Sequence, residues 1–207
     1  MKKILSLMIV CLLVVTLFFV SSVNANSKIN RSKVLKIGEK IPNAHLNRFG
    51  QSNIEIDDLK GKIKIISVVP QLNTPVCDKQ THQFSEKNGG LDKRVDIITI
   101  STNTAQGQDS FAKKANISNL IFLSDNPNFD FGKNTGLLIE EMGMLRRTVL
   151  VVDEKNIIRY VDFVPSGGLP DIKGALNAAK QILLDAIQKL LPIAFKKENL
   201  LKVKKKL

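Results

Sequence analysis

The chain has 207 residues, enough for one domain with terminal extensions, and its 43% hydrophobic content excludes a disordered composition. Aromatic residues make up 5% and tryptophan is absent, which argues against aromatic cages and base-stacking surfaces, so nucleic acid is not an expected partner. Much of the net charge of +12 sits at the C-terminus, where residues 196–207 carry six lysines against Glu198.

Residues 1–25 form a separate object. Lys2 and Lys3 give a positive start, Ile4 to Val20 is almost wholly apolar, and Val23-Asn24-Ala25 supplies small residues at a cleavage position. This is the three-part layout of a secretory signal peptide. The other reading is an uncleaved anchor, since the apolar run reaches the short edge of what spans a bilayer. Either way the domain is expected outside the cytoplasm, periplasmic, secreted or tethered. The chain has two cysteines, Cys11 and Cys77. Removal of the signal leaves only Cys77, which then has no internal disulfide partner and reads as a free reactive thiol or an intermolecular one.

Residues 26–37 are polar and basic and read as a linker, and residues 38–191 read as the folded domain. Short β-branched, apolar runs predict strands at Ile63–Val69, Val95–Ser101 and Leu120–Leu123. Thr148–Val152 and Ile157–Val164 form a further pair across the turn Asp153-Glu154-Lys155-Asn156. Between them lie helical signals. Cys77 to Lys87 lacks Gly and Pro and stops before Asn88-Gly89-Gly90, Asp109–Ala115 is a shorter candidate, and Asp171–Leu191 carries apolar residues at helical spacing until Pro192. The alternation predicts an α/β domain with a central, partly parallel sheet covered on both faces. Residues 192–207 read as a basic tail able to touch anionic surfaces.

The chemistry concentrates in Val68-Val69-Pro70-Gln71-Leu72-Asn73-Thr74-Pro75-Val76-Cys77-Asp78. A buried strand ends at Pro70, a loop follows, and Cys77 opens a helix. Strand ends in open α/β sheets are where sites lie. A helix N-terminus presents free N–H groups and a partial positive charge, both of which favour thiolate over thiol. Thr74, three residues earlier, is expected to turn its hydroxyl into the same pocket, and Pro70 and Pro75 stiffen the loop. His45 and His82 read as solvated residues, so a Cys–His dyad has no support, and no cofactor or metal is expected.

Pro70-x-x-x-Thr74-x-x-Cys77 resembles the active-site pattern of the peroxiredoxin superfamily, and its surroundings, including Gln80-Thr81, are similar to the bacterial thiol peroxidase branch. Leu123-Ser124-Asp125, Phe131-Gly132-Lys133, Gly136-Leu137-Leu138-Ile139 and the strand from Arg147 to Asp153 extend the likeness from about Gly38 to Lys180. Of the pair Arg146-Arg147, the spacing to Asp153 favours Arg147. The resemblance implies a thioredoxin-like fold, a central mixed β-sheet flanked by helices. It implies that Cys77 is the peroxidatic cysteine, that Thr74 hydrogen-bonds the peroxide, that Arg147 holds its guanidinium near the sulfur, and that Pro70 shields the thiolate. It also implies thiol-dependent reduction of hydrogen peroxide or organic hydroperoxides, as antioxidant defence.

The sequence departs from this branch twice. The usual resolving cysteine is missing: its position counts to Ala112, and no cysteine lies in residues 78–207. An aromatic expected near the start of the domain is replaced by Ala44, with Pro42 retained. The first departure implies that a Cys77 sulfenic acid is reduced by an external thiol, either a thioredoxin-like protein or a small thiol. A homodimer is compatible with this scheme. The alternative is a thioredoxin-fold signalling or binding protein with little turnover, trapped through Cys77 on a partner.

Overall fold

The computed structural model describes residues 35–59 and 61–190. The expected signal segment with Cys11, most of the expected linker and the expected basic tail lie outside the described residues. Leu35, assigned to the linker by composition, is instead buried in the core at 4% exposure.

The apolar runs form the middle of a seven-stranded mixed sheet. In chain order its strands are β1 (His45–Arg48), β2 (Gln51–Glu55), β3 (Lys64–Val68), β4 (Asp96–Ser101), β5 (Ile121–Ser124), β8 (Thr148–Val152) and β9 (Ile158–Phe163). A separate two-stranded ribbon pairs β6 (Leu138–Ile139) with β7 (Met144–Leu145). The order across the large sheet is β2-β1-β5-β4-β3-β8-β9. β3, β4 and β5 run parallel, while β8 pairs antiparallel with β3 and β9 with β8. The predicted pair around residues 153–156 is therefore a hairpin. Asp153 pins its turn by accepting from the N–H groups of Lys155 and Ile157, both at 2.9 Å, and from Arg159 Nη2 at 2.7 Å.

Among the described residues four α-helices flank the sheet: α1 (Pro75–Glu86), α2 (Ala105–Lys114), α3 (Asp130–Thr135) and α4 (Ile172–Leu190). Strand side chains alternate between two core clusters. Ile66, Val68, Ile98, Ile100, Leu150 and Val152 pack on one face with Phe131 of α3. Ile65, Val69, Ile97, Val149 and Val151 pack on the other with Phe84 of α1 and with Ala175 and Ala179 of α4. Cys77 belongs to this second cluster. Lys64 breaks the apolar pattern of β3, yet it is fully buried, because its ammonium donates to the carbonyls of Leu59 and Lys62 at 2.6 Å each.

α2 begins four residues before its predicted start. Thr104 caps it by accepting from Gly107 N at 3.1 Å, and this satisfies an N–H that the helix leaves open. α3 and the β1–β2 hairpin were not predicted. α3 is held from outside: Asp125, at the end of β5, accepts from Phe131 N through Oδ1 and from Gly132 N through Oδ2, both at 2.8 Å. A Cβ on residue 132 would meet Leu145 Cδ2 at 2.6 Å, which is why glycine stands there.

Asp125 is 2% exposed, and burial pushes its carboxyl up to about 6 from 3.8, despite the two N–H groups that favour the anion. The folded state thus holds this proton more tightly than the unfolded chain. Its contribution to stability is full below about pH 4 and is lost as pH rises through about 6. Asp153 acts in a different window: burial alone would push its carboxyl up, but hydrogen bonds from Ile157, Arg159 and Lys155 outweigh burial and hold it below 3.8. Its contribution is lost only as pH falls below that value. Asp125→Asn cannot titrate, so the stability gap between wild type and variant is expected to widen as pH falls from 7 to 4.5. Urea midpoints at the two pH values measure it, and a constant gap would contradict the linkage.

Candidate active site

Antiparallel pairing builds the site. Val68, the last residue of β3, pairs with Thr148, the first of β8. Arg147 precedes Thr148, so it enters the sheet where the chain leaves β3 for the Pro70–Thr74 loop. That loop is tied to the segment after β4. Leu72 N donates to Asn103 Oδ1 at 2.8 Å, and Thr102 Oγ1 donates to the Pro70 carbonyl at 3.3 Å. Thr74 is the N-cap residue of α1 with extended backbone, and Pro75 fills the first helical position, where its missing N–H costs nothing. Cys77 therefore lies in the first turn, where the orphan N–H groups and the positive end of the helix dipole face it.

The Cys77 thiol is fully buried, and Arg147 Nη2 lies 3.2 Å from its Sγ. Arg147 is itself buried at 9% exposure, whereas Arg146 is exposed, which resolves the choice between them. The second guanidinium nitrogen, Nη1, donates to Gln80 Oε1 at 2.5 Å, and Gln80 Nε2 donates to Ser67 Oγ at 2.8 Å. Thr81 Oγ1 donates to the carbonyl of Cys77 at 2.8 Å, bracing the turn from below. The Thr74 hydroxyl, expected to hydrogen-bond the peroxide, donates to the Gln71 carbonyl at 3.0 Å. Its lone pairs remain able to accept from a peroxide O–H. Thr74, Pro75, Asp78 and His82 line one wall of a groove of about 820 Å³ whose other wall is α2, through Ser110, Phe111 and Lys114. Pro70 is half-buried beside the loop.

Both histidines sit among carboxylates. His82 lies 3.2 Å from Glu86 and 3.6 Å from Asp78, and His45 lies between Glu55 and Asp130 at 3.2 and 3.3 Å. Neither is hydrogen-bonded to the cysteine. Among the described residues no cluster of His, Cys, Asp and Glu could hold a metal ion. Ala112 lies on the face of α2 that borders a second groove with Arg48 and Phe49, not on the face turned to Thr74. Sequence reasoning missed Ser67 and the structural part played by Gln80. The available signal was a polar residue on the buried stripe of α1, since Cys77, Gln80, Thr81 and Phe84 share one helical face.

A buried thiol at a helix start under a guanidinium, at the end of the interior strand β3 of a thioredoxin-like sheet, defines a site for thiolate chemistry. The chain belongs to the AhpC/TSA family, within the bacterial thiol peroxidase branch of the peroxiredoxins; the family model matches residues 37–161. It is 37% identical to the thiol peroxidase of Halalkalibacterium halodurans over 150 residues, 72% of this chain and 90% of the relative. A thiol peroxidase of Streptococcus pneumoniae is 36% identical over 151 residues, 72% and 92% of the two chains. Among solved structures, a peroxiredoxin-like protein from Aquifex aeolicus superimposes with a TM-score of 0.66 at 28% identity, covering 72% of this chain and 88% of the other. Enterococcus faecalis AhpC, at 18% identity over 74% and 95%, shares the fold with a TM-score of 0.64.

Proposed function

We propose that this protein reduces hydroperoxides at the expense of an external thiol, with Cys77 as the attacking group. The observation that carries this reading is the contact of Arg147 Nη2 with Cys77 Sγ at 3.2 Å. The thiolate attacks the terminal peroxide oxygen, an S–O bond forms as the O–O bond breaks, and the electron pair leaves on the second oxygen, which takes up a proton to become water or an alcohol. Arg147, always protonated, stabilises the sulfur anion before the step and the departing oxygen during it. Thr74 accepts from the peroxide O–H, and the half-buried Pro70 limits water at the sulfur.

The product is a Cys77 sulfenic acid. One external thiol condenses with it, releasing water and leaving a mixed disulfide, and a second thiol frees Cys77 as the external disulfide forms. The absence of cysteine from residues 78–207 supports this one-cysteine cycle. Without a thiol donor the enzyme is expected to stop after one turnover. Mass spectrometry after one equivalent of peroxide should then find a dominant species carrying one added oxygen, trappable by a sulfenate reagent. A Cys77-linked homodimer would instead mean resolution between subunits, and an unmodified thiol would end the peroxidase reading.

We further propose that the enzyme works outside the cytoplasm. The charged start, the apolar run and Val23-Asn24-Ala25 support this location. N-terminal sequencing of protein from its native host is expected to begin near Asn26, and an intact Met1 in a cytosolic fraction would refute it.

A further inference from the structure

The apolar stripe of α4 is longer than the core that covers it. Ala175, Leu176 and Ala179, on its first turns, are buried against the sheet. Ile182 and Leu183, one turn further on the same face, are only half-buried at the margin of that cluster. Ala186 and Ile187 continue the face at helical spacing and are half-buried as well. The stripe thus stays apolar where its cover thins. The chain then runs into residues 191–207, which mix two chemistries. Leu191, Ile193, Phe195, Leu200, Leu201 and Val203 are apolar, while six lysines against Glu198 leave a charge of +5.

Apolar side chains and a cluster of cations are two signals that together hold a protein on an anionic bilayer, the first by burial at the acyl boundary, the second by attraction to the headgroups. We infer that the end of α4, together with residues 191–207, docks the domain on the surface of a bilayer rich in anionic lipid. No described helix, α4 included, is long and apolar enough to cross a membrane, so α4 meets the bilayer from its surface. Other occupants fit the residues less well. A second copy would bring one segment of +5 against another, and like charges repel. A nucleic acid would satisfy the lysines but leave Leu191, Ile193 and Phe195 without an apolar partner. Packing of the segment back on α4 would use the apolar residues and leave the lysines without a counter-charge. The inference is independent of the peroxidase reading: it concerns where the domain is held, not what Cys77 does.

The test is flotation of the chain from Asn26 onward, the mature form proposed above, which keeps the whole compact unit of residues 33–207. It is mixed with vesicles of equal parts phosphatidylglycerol and phosphatidylcholine, or of phosphatidylcholine alone. Binding to the anionic vesicles is expected to weaken as salt is raised and to exceed binding to the neutral ones by about tenfold or more. Replacing Lys196, Lys197, Lys202, Lys204, Lys205 and Lys206 together with glutamine should cut partition by about a hundredfold or more. Leu191→Ser, Ile193→Ser and Phe195→Ser combined should cut it by about tenfold or more at unchanged charge. Ile187→Gln, on the described face of α4, should weaken it by about threefold. A wild-type thermal midpoint in each variant shows that the domain is folded. Failure to float with either vesicle, or equal binding to both, would overturn the inference. Wild-type binding by the triple serine variant would overturn it in favour of a plain polycation suited to nucleic acid, and wild-type binding by Ile187→Gln would remove α4 from the surface. A lowered midpoint in the triple serine variant, with no vesicle binding by the wild type, would mean that the segment packs on its own domain. Peroxide consumption is measured without vesicles, so a failure of the peroxidase reading is a separate outcome.

Discussion

Cys77→Ser should remove all peroxide consumption while shifting the thermal midpoint by only a few degrees. The serine hydroxyl is not ionised near neutral pH and cannot supply the anion that attacks the O–O bond. The fold tolerates the change because the site is already polar on one side. Arg147 Nη2, now 3.2 Å from Sγ, can donate to the new oxygen, so the substitution does not strand a buried hydroxyl. The apolar neighbours, Leu72 and Phe84 among them, keep their packing around a side chain of similar size. Peroxide consumption with an excess of a dithiol donor reads the first effect and a thermal melt the second. Residual turnover in this variant would move the chemistry elsewhere, and the only other cysteine of the chain is Cys11.

Arg147→Ala is expected to slow the peroxide step by about a hundredfold or more, the usual consequence of losing one positioned donor from a reacting centre. Unlike the cysteine variant it should also destabilise the domain. Removing the guanidinium strips Gln80 Oε1 of its donor in a buried setting, at a cost of about 1–3 kcal/mol. Arg147→Lys separates the two roles. A lysine ammonium keeps the charge but is a point, not a plane, and cannot hold Gln80 and face the sulfur with the same geometry. Its rate should fall between the other two. An Arg147→Ala rate close to wild type would show that the sulfur works without the guanidinium.

What the sequence disclosed follows from where each element gets its stability. β3, β4, β5 and β8 are runs of β-branched and apolar residues because both of their faces are covered, and such runs announce themselves. The β1–β2 hairpin does not, since His45–Arg48 and Gln51–Glu55 are largely polar strands, β2 at the sheet edge and β1 beside it, in which Leu46 and Ile54 are the buried residues. α3 is six residues long, contains Gly132 and follows Phe129 in a left-handed conformation. Its hydrogen bonds to Asp125 come from the end of another strand, which no local propensity records. Gly107 disguised the start of α2 in the same way, the capping threonine being the better guide. At the site, Cys77 and Arg147 were legible because a motif and a strand spacing mark them. Gln80 was visible as a residue but not as a link, because its partners lie 13 residues before it and 67 after it.

The position of β3 sets how the site is lost. All five of its residues are buried, and it is paired along its whole length on both sides, with β4 and with β8. Amide protons in such a strand exchange with solvent only when the whole domain opens, whereas those of β2 at the sheet edge can exchange through local fraying. The Pro70–Thr74 loop hangs directly from this doubly paired strand, and Arg147 enters beside it. The strand that carries the loop and faces Arg147 is therefore expected to be among the last parts of the domain to open on heating.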